Sequence, residues 1–452
     1  MDRHGNAYQE MGKYSYRNIW KVAYPILISL IMEQLIGMTD TAFLGRVGEI
    51  ELGASAIASV YYMVIFMLGF GFSLGAQIII GRRNGEERYR DTGKIFWHGV
   101  YFLIALAAVL VAASEIFSPA LMSRMVSSEH ILAASLSYIR WRTLGLFFAF
   151  ITAMFRAFYV GTTQTKTLTF NSIVMVLSNV VFNWILIFGK FGLPALGIAG
   201  AAIGSAMAEL VSLIFFMAYA RIKTDRAKYG LDKAARFDRE ELKGMLSLSV
   251  WTMVEAFLSV ATWLIFFLYV EHLGERSLAV SNIVRNVSGL VWVFLMAFSS
   301  TGSTLVSNMI GEGLQDNVPR LVGKVIAMAY GIIAILLICF AIFPRHVIGI
   351  FTDMKEIVEA SVPAMLVMAS SYLINIPANI CFNASAGTGN TKTVFALEVT
   401  ALAIYMAYCT VVITILKADV AVCWTAEHIY AAAMLILCGT YLKSGRWKGK
   451  KI

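Results

Sequence analysis

The chain has 452 residues, 59% of them hydrophobic and only 14% charged, with a mean hydropathy of +0.72. Soluble proteins are roughly 45–50% apolar and about 25% charged, so a soluble enzyme, a disordered chain and a nucleic-acid-binding module are all excluded. The net charge of +9 therefore asks for a topological explanation in a polytopic membrane protein.

Residues 1–16 are polar, and the first apolar run is long enough to stay in the membrane, so no removable signal peptide is expected. A spanning helix needs about 20 predominantly apolar residues. Twelve segments meet this: 18–43, 52–80, 95–123, 131–159, 168–189, 195–220, 244–272, 278–308, 321–343, 357–386, 393–416 and 419–442. Six precede the charged stretch 221–243 and six follow it. That stretch reads as a cytoplasmic linker between an N-terminal bundle, 1–220, and a C-terminal bundle, 244–452. With both termini inside, 26 of the 37 basic residues fall in inside loops and 7 in outside loops. Loop lysines and arginines favour the cytoplasmic side, so this bias orients the chain. The five cysteines all lie in apolar stretches of the C-terminal half without a CxxC pair, and read as small buried hydrophobes.

The two halves repeat. A shift of 226 residues, half of 452, lays Gly48-Glu49 on Gly274-Glu275, Phe72-Ser73 on Phe298-Ser299, and Gly85-Glu86 on Gly311-Glu312. It also lays GTTQTKT (Gly161 to Thr167) on GTGNTKT (Gly387 to Thr393). Six spans per half imply a repeat axis along the membrane normal and a central cleft as the substrate path. In GTxxTKT, glycine suits a helix end, threonine the next N-cap and lysine the headgroup level, a structural role.

Ionisable groups inside spans are functional candidates. Glu33, Gly37 and Asp40 share one face of the first span, and Pro25 upstream predicts a hinge. Asn179 and Asn183 stand one turn apart on the fifth span, at a depth compatible with Asp40. One carboxylate and two amide oxygens suit a hard cation such as sodium, and a desolvated carboxyl suits a proton. An interfacial aspartate beside an asparagine pair that joins helices is the structural alternative. Glu255 lies deep in the seventh span with no basic neighbour in sequence, which suits cation binding or proton exchange. Glu209 reads either as functional or as the partner of Arg140, Arg142 or Arg285. Glu398 is expected at an interface, and Glu427-His428 reads as a contact between helices. Asn375, Asn379 and Asn383 form a stripe beside Pro377 and suit a cavity wall. GFSLG (Gly71 to Gly75) matches a nucleophile elbow in letters only. On an apolar helix it reads as a close-packing face. The six histidines are expected in loops or near span ends.

These residues resemble the multidrug and toxic compound extrusion (MATE) family over nearly the whole chain. AYPILISL with Pro25, MTDTAFLG around Asp40, and SNVVFNWILIFGKFGLPALGIAGAAIG (Ser178 to Gly204) carry the resemblance, with GTxxTKT after the fourth and tenth spans. It implies an all-α fold of two six-helix bundles. It also implies a non-enzymatic antiporter of the bacterial inner membrane, coupled to H+ or Na+, that exports cationic or amphipathic compounds. No cofactor or nucleic acid is implied, and a monomer among membrane lipids is expected. Asp40, Asn179, Asn183 and Glu255 then look like the cation-coupling residues, with a possible sodium site at Asp40, Asn179 and Asn183. Glu33, Gln34, Asn375 and Asn379 would shape the substrate cavity, and Pro25 the hinge. Asn183 makes the chain look NorM-like. There are two departures. Asn375 stands where some members carry aspartate, and Ala201 or Ala202 where some carry a hydroxyl, which favours protons over sodium. A lipid-linked precursor flippase of related architecture is the alternative, against which the scarcity of a basic cluster argues. An intramembrane enzyme lacks a paired catalytic constellation.

Overall fold

The computed structural model describes residues 12–126 and 128–450, and among them no strand occurs. In chain order the helices are α1 (Tyr16–Leu44), α2 (Glu49–Gly85), α3 (Tyr89–Met125), α4 (Glu129–Leu144), α5 (Leu146–Gly161), α6 (Lys166–Phe188), α7 (Gly197–Ile222), α8 (Arg226–Tyr229) and α9 (Arg239–Glu271). There follow α10 (Glu275–Gly311), α11 (Val318–Ile342), α12 (Pro344–Gly349), α13 (Lys355–Gly387), α14 (Thr391–Cys409), α15 (Val420–Cys423) and α16 (Ala426–Ser444). Among the described residues, eleven helical segments are long and apolar enough to cross a membrane. The twelfth expected span, 131–159, is broken: α4 and α5 meet at a 46° bend, and Gly145 stands at the break. Counted as one span, the bent pair makes twelve. Backbone groups have no water to bond in hydrocarbon, which is why helices alone carry the crossing.

Two compact units emerge. One comprises Ile28–Val254, the other Met1–Leu27 with Glu255–Ile452. The boundary on α1 lies two residues past Pro25, and that on α9 lies just before Glu255.

In the first unit, α2 packs against α4 and α5, and α6 lies along α7. Small residues allow close approach. A Cβ on Gly71 would stand 2.7 Å from the Met253 Cα, and one on Gly75 would stand 2.7 Å from the Ser249 Cα. Thr252 Oγ1 donates to the Gly71 carbonyl at 2.7 Å. The letters GFSLG thus mark a helix contact. The charged connector is ordered on the end of α3. Tyr101 Oη donates to the Ala235 carbonyl at 2.9 Å, and the Asp238 N–H donates to His98 Nε2 at 2.8 Å. His98 is therefore buried at 1% exposure near the start of the expected span, where the connector covers it.

In the second unit, α13 packs on α10 and α16. Cys381, Cys409, Cys423 and Cys438 are buried and free, as expected, whereas Cys339 is exposed.

The repeat has a backbone counterpart. A Cβ on Gly161 would stand 3.0 Å from the Gln77 carbonyl oxygen, and one on Gly387 would stand 2.4 Å from the Ser303 carbonyl oxygen. Both the glycines and their partners are related by the same half-chain shift. The glycine of GTxxTKT is therefore where each span ends against the second helix of its own half. The threonines do not act as N-caps. Thr165 occupies that position without a side-chain cap bond, and Asn390 does likewise. Instead, Thr162 and Thr388 donate backwards, to the Phe158 carbonyl at 2.8 Å and the Ser385 carbonyl at 2.7 Å, closing the preceding helix.

Left-handed residues repeat as well. Gly313 and Gly389 have φ of 78° and 82°, and their first-half counterparts Glu87 and Thr163 have φ of 58° and 60°. A β-branched residue in this region clashes with its own carbonyl, at about 1–2 kcal/mol. Thr163→Gly should therefore raise the unfolding midpoint in detergent, less about 0.5–1 kcal/mol for the freedom glycine adds to the unfolded chain. Gly389→Thr should lower it. Midpoints that move in the same direction would refute the strain.

Candidate functional site

The first unit gathers α1, α6 and α7 around one carboxylate. Asn183 Nδ2 donates to Asp40 Oδ1 at 2.5 Å, and Ser205 Oγ donates to Asp40 Oδ2 at 3.0 Å. Asn183 Nδ2 also reaches Asn179 Oδ1 at 3.2 Å, while Asn179 Nδ2 donates to Ser205 Oγ at 3.1 Å. Asn179 and Asn183 are fully buried. Among the described residues, every donor to Asp40 is neutral.

The pocket exists because α6 and α7 run in close contact. A Cβ on Gly200 would stand 2.6 Å from the Leu186 backbone, and one on Gly204 only 2.3 Å from Asn183 Oδ1. Ser205 was missed in the sequence. The hydroxyl was sought at Ala201 or Ala202, but both lie fully buried in an apolar cluster with Leu44, Tyr138 and Ile187. Ser205 follows Ala201 by one turn and shares its face. A shortage of oxygen ligands therefore no longer argues for protons over sodium.

Nearer the start of α1, Glu33 pairs with Arg156 and accepts from Ser29 Oγ at 3.3 Å. Ser29 Oγ is 2.7 Å from Ser172 Oγ. Gln34 is exposed. Glu209 pairs with Arg142 at 2.7 Å, whereas Arg140 reaches Glu115.

The second unit holds a separate polar group. Ser259 Oγ stands 3.1 Å from Glu398 Oε1 and 3.5 Å from Glu255 Oε1. Tyr430 Oη donates to Glu398 at 2.9 Å. Expected at an interface, Glu398 is instead 1% exposed, because α14 turns it towards α9 and α16. One hydroxyl proton cannot serve two carboxylates at once. The Glu255–Ser259–Glu398 chain is therefore complete when one carboxyl carries a proton. Asn375 and Asn379 are buried and joined, Asn379 Nδ2 donating to Asn375 Oδ1 at 3.0 Å. Tyr405 Oη reaches Glu427 at 3.5 Å, and His428 Nε2 lies 3.0 Å from Ser370 Oγ.

The MatE family model matches residues 25–185 and 252–426. The chain is 23% identical to the probable multidrug resistance protein YoeA of Bacillus subtilis, covering 97% of this chain and 96% of that one. It is 24% identical to multidrug resistance protein MdtK of Photorhabdus laumondii, covering 84% and 83%. Its fold matches that of an outward-facing multidrug resistance MATE family transporter of the MOP superfamily, with a TM-score of 0.87 at 15% identity over 95% of this chain and 96% of that one. The eukaryotic MATE transporter AtDTX14 matches with a TM-score of 0.82 at 17% identity over 96% of both chains.

Gly204→Ala should drive Asn183 off Asp40 and destabilise the first unit by about 1–3 kcal/mol, the usual range for overpacking. Dye efflux and the unfolding midpoint should fall together. A variant normal in both would show that the contact has slack. With the family model covering most of the chain and Asp40 held between α6 and α7, the chain belongs to the MATE family of multi-pass membrane transporters, which are not enzymes.

Proposed function

We propose that the chain exports cationic or amphipathic organic compounds in exchange for an inward-moving cation, H+ or Na+, by alternating access. The observation that carries this reading is the bonding of Asp40: a carboxylate within a spanning helix, held by Asn183 and Ser205. Neutral donors orient the carboxylate without cancelling its charge. A mobile cation is then the species that neutralises it, and its binding changes the free energy of the conformation that holds it. Multidrug resistance proteins among the relatives support the substrate class. Asn179 supports Asn183, and Glu255 with Glu398 forms a second cation-responsive group. Glu33, Gln34, Asn375 and Asn379 shape the surfaces that substrates meet, and Pro25 is the hinge of α1. The protein works as a monomer in a bacterial inner membrane with both termini cytoplasmic.

Reconstituted protein should expel a cationic dye from liposomes under an imposed proton or sodium gradient. Asp40→Asn should abolish gradient-driven efflux at unchanged expression. Efflux indifferent to both gradients, or an unimpaired Asp40→Asn variant, would overturn the proposal.

A further inference from the structure

One buried ion pair in the first unit is not used by this reading. Arg142 Nη2 donates to Glu209 Oε1 at 2.7 Å, and the side chains are 14% and 7% exposed. The guanidinium lies 3.9 Å over the Tyr62 ring, and Tyr62 Oη donates to Glu209 Oε1 at 3.4 Å. An arginine and a carboxylate commonly make two parallel bonds. Here half of the fork is idle: Arg142 Nη1 and Glu209 Oε2 are buried with no hydrogen-bond partner among the described residues. The pair sits at the break between α4 and α5. A Cβ on Gly145 would stand 2.9 Å from Glu209 Oε2, so the broken span presses its backbone against this carboxylate.

The pair lies next to the Asp40 pocket. Glu209 follows Ser205 by one turn of α7. Arg142 follows Tyr138 by one turn of α4, and Tyr138 packs with Leu44 and Ala201, which stand one turn from Asp40 and from Ser205. The remaining groups around Asp40, namely Asn179, Asn183 and Ser205, are neutral. The charged set is thus two carboxylates and one guanidinium, and a guanidinium does not give up its proton. Uncancelled, Arg142 would neutralise Asp40 as a fixed cation and weaken its hold on a mobile one.

We propose that Glu209 and Arg142 are positioning residues for ion coupling: Glu209 occupies Arg142, and this keeps Asp40 available to a mobile cation. The inference rests on the reading of Asp40 as the coupling group. It assigns a transport role to a pair that would otherwise serve only packing.

The test compares wild type, Glu209→Gln, Arg142→Gln and the double variant, each reconstituted whole. For each, dye efflux is titrated against the driving cation, protons and sodium in turn, and the unfolding midpoint is recorded. Glu209→Gln should raise the half-saturating cation concentration about tenfold or more, the usual effect of an opposite charge beside a carboxylate. Arg142→Gln should lower it, and the double variant should return it towards wild type. If Glu209→Gln does not fold, Arg142→Gln against the double variant carries the test, and the single variant must show the lower value. Unchanged half-saturation with only the unfolding midpoint displaced would make the pair structural and overturn the inference. Gradient-driven efflux retained by Asp40→Asn would instead remove the underlying reading, whatever the pair does.

Discussion

Hydrocarbon supplies no hydrogen bonds, so each polar group placed in a span must find its partners within the protein. That constraint shapes both polar groups of this chain. Asp40 has one donor from α6 and one from α7. Bringing both to it requires those helices to run closer than ordinary side chains permit, and Gly200 and Gly204 provide the room. The glycines, the asparagine pair and the serine are therefore one device. Losing Asn183 or Ser205 would leave an Asp40 oxygen without that donor.

The two units meet this constraint differently. Around Asp40 the donors are neutral, and Arg142 of the same unit is held by Glu209. In the second unit, Glu255 and Glu398 share Ser259, with Tyr430 as a further donor. Fixed charge compensates fixed charge in the first unit. In the second, the Ser259 and Tyr430 hydroxyls supply the bonding.

Internal repetition reaches further into the backbone than the matched letters suggest. The glycine that opens GTxxTKT packs on the same position of the second helix in both halves, and the left-handed residues of the inside loops recur at the same shift. Where the second half uses Gly313 and Gly389, the first carries Glu87 and Thr163. Backbone geometry has been kept while side chains diverged. A loop conformation set by two flanking helices overrides the preference of one residue.

Much of this was legible in the sequence. Hydropathy located the spans because a bilayer's thickness fixes helix length, and the spacing of Asn179 and Asn183 put both on one face because helical periodicity is fixed. The carboxylates Asp40 and Glu255 stood out because charge inside a span is rare. Other features depend on which helix faces which, and no local rule encodes that. Ser205 is one of two serines on α7, and only packing against α6 turns it to Asp40. Glu398 reads as interfacial by its place along the chain, yet α9 and α16 bury it. Arg142, one of three candidate partners for Glu209, meets it beside the bend at Gly145. The sequence by itself determined a twelve-span membrane protein with carboxylates in its helices. Tertiary structure decided which neighbours those carboxylates meet, because partner choice follows from helix packing and close approach, not from periodicity along a single chain.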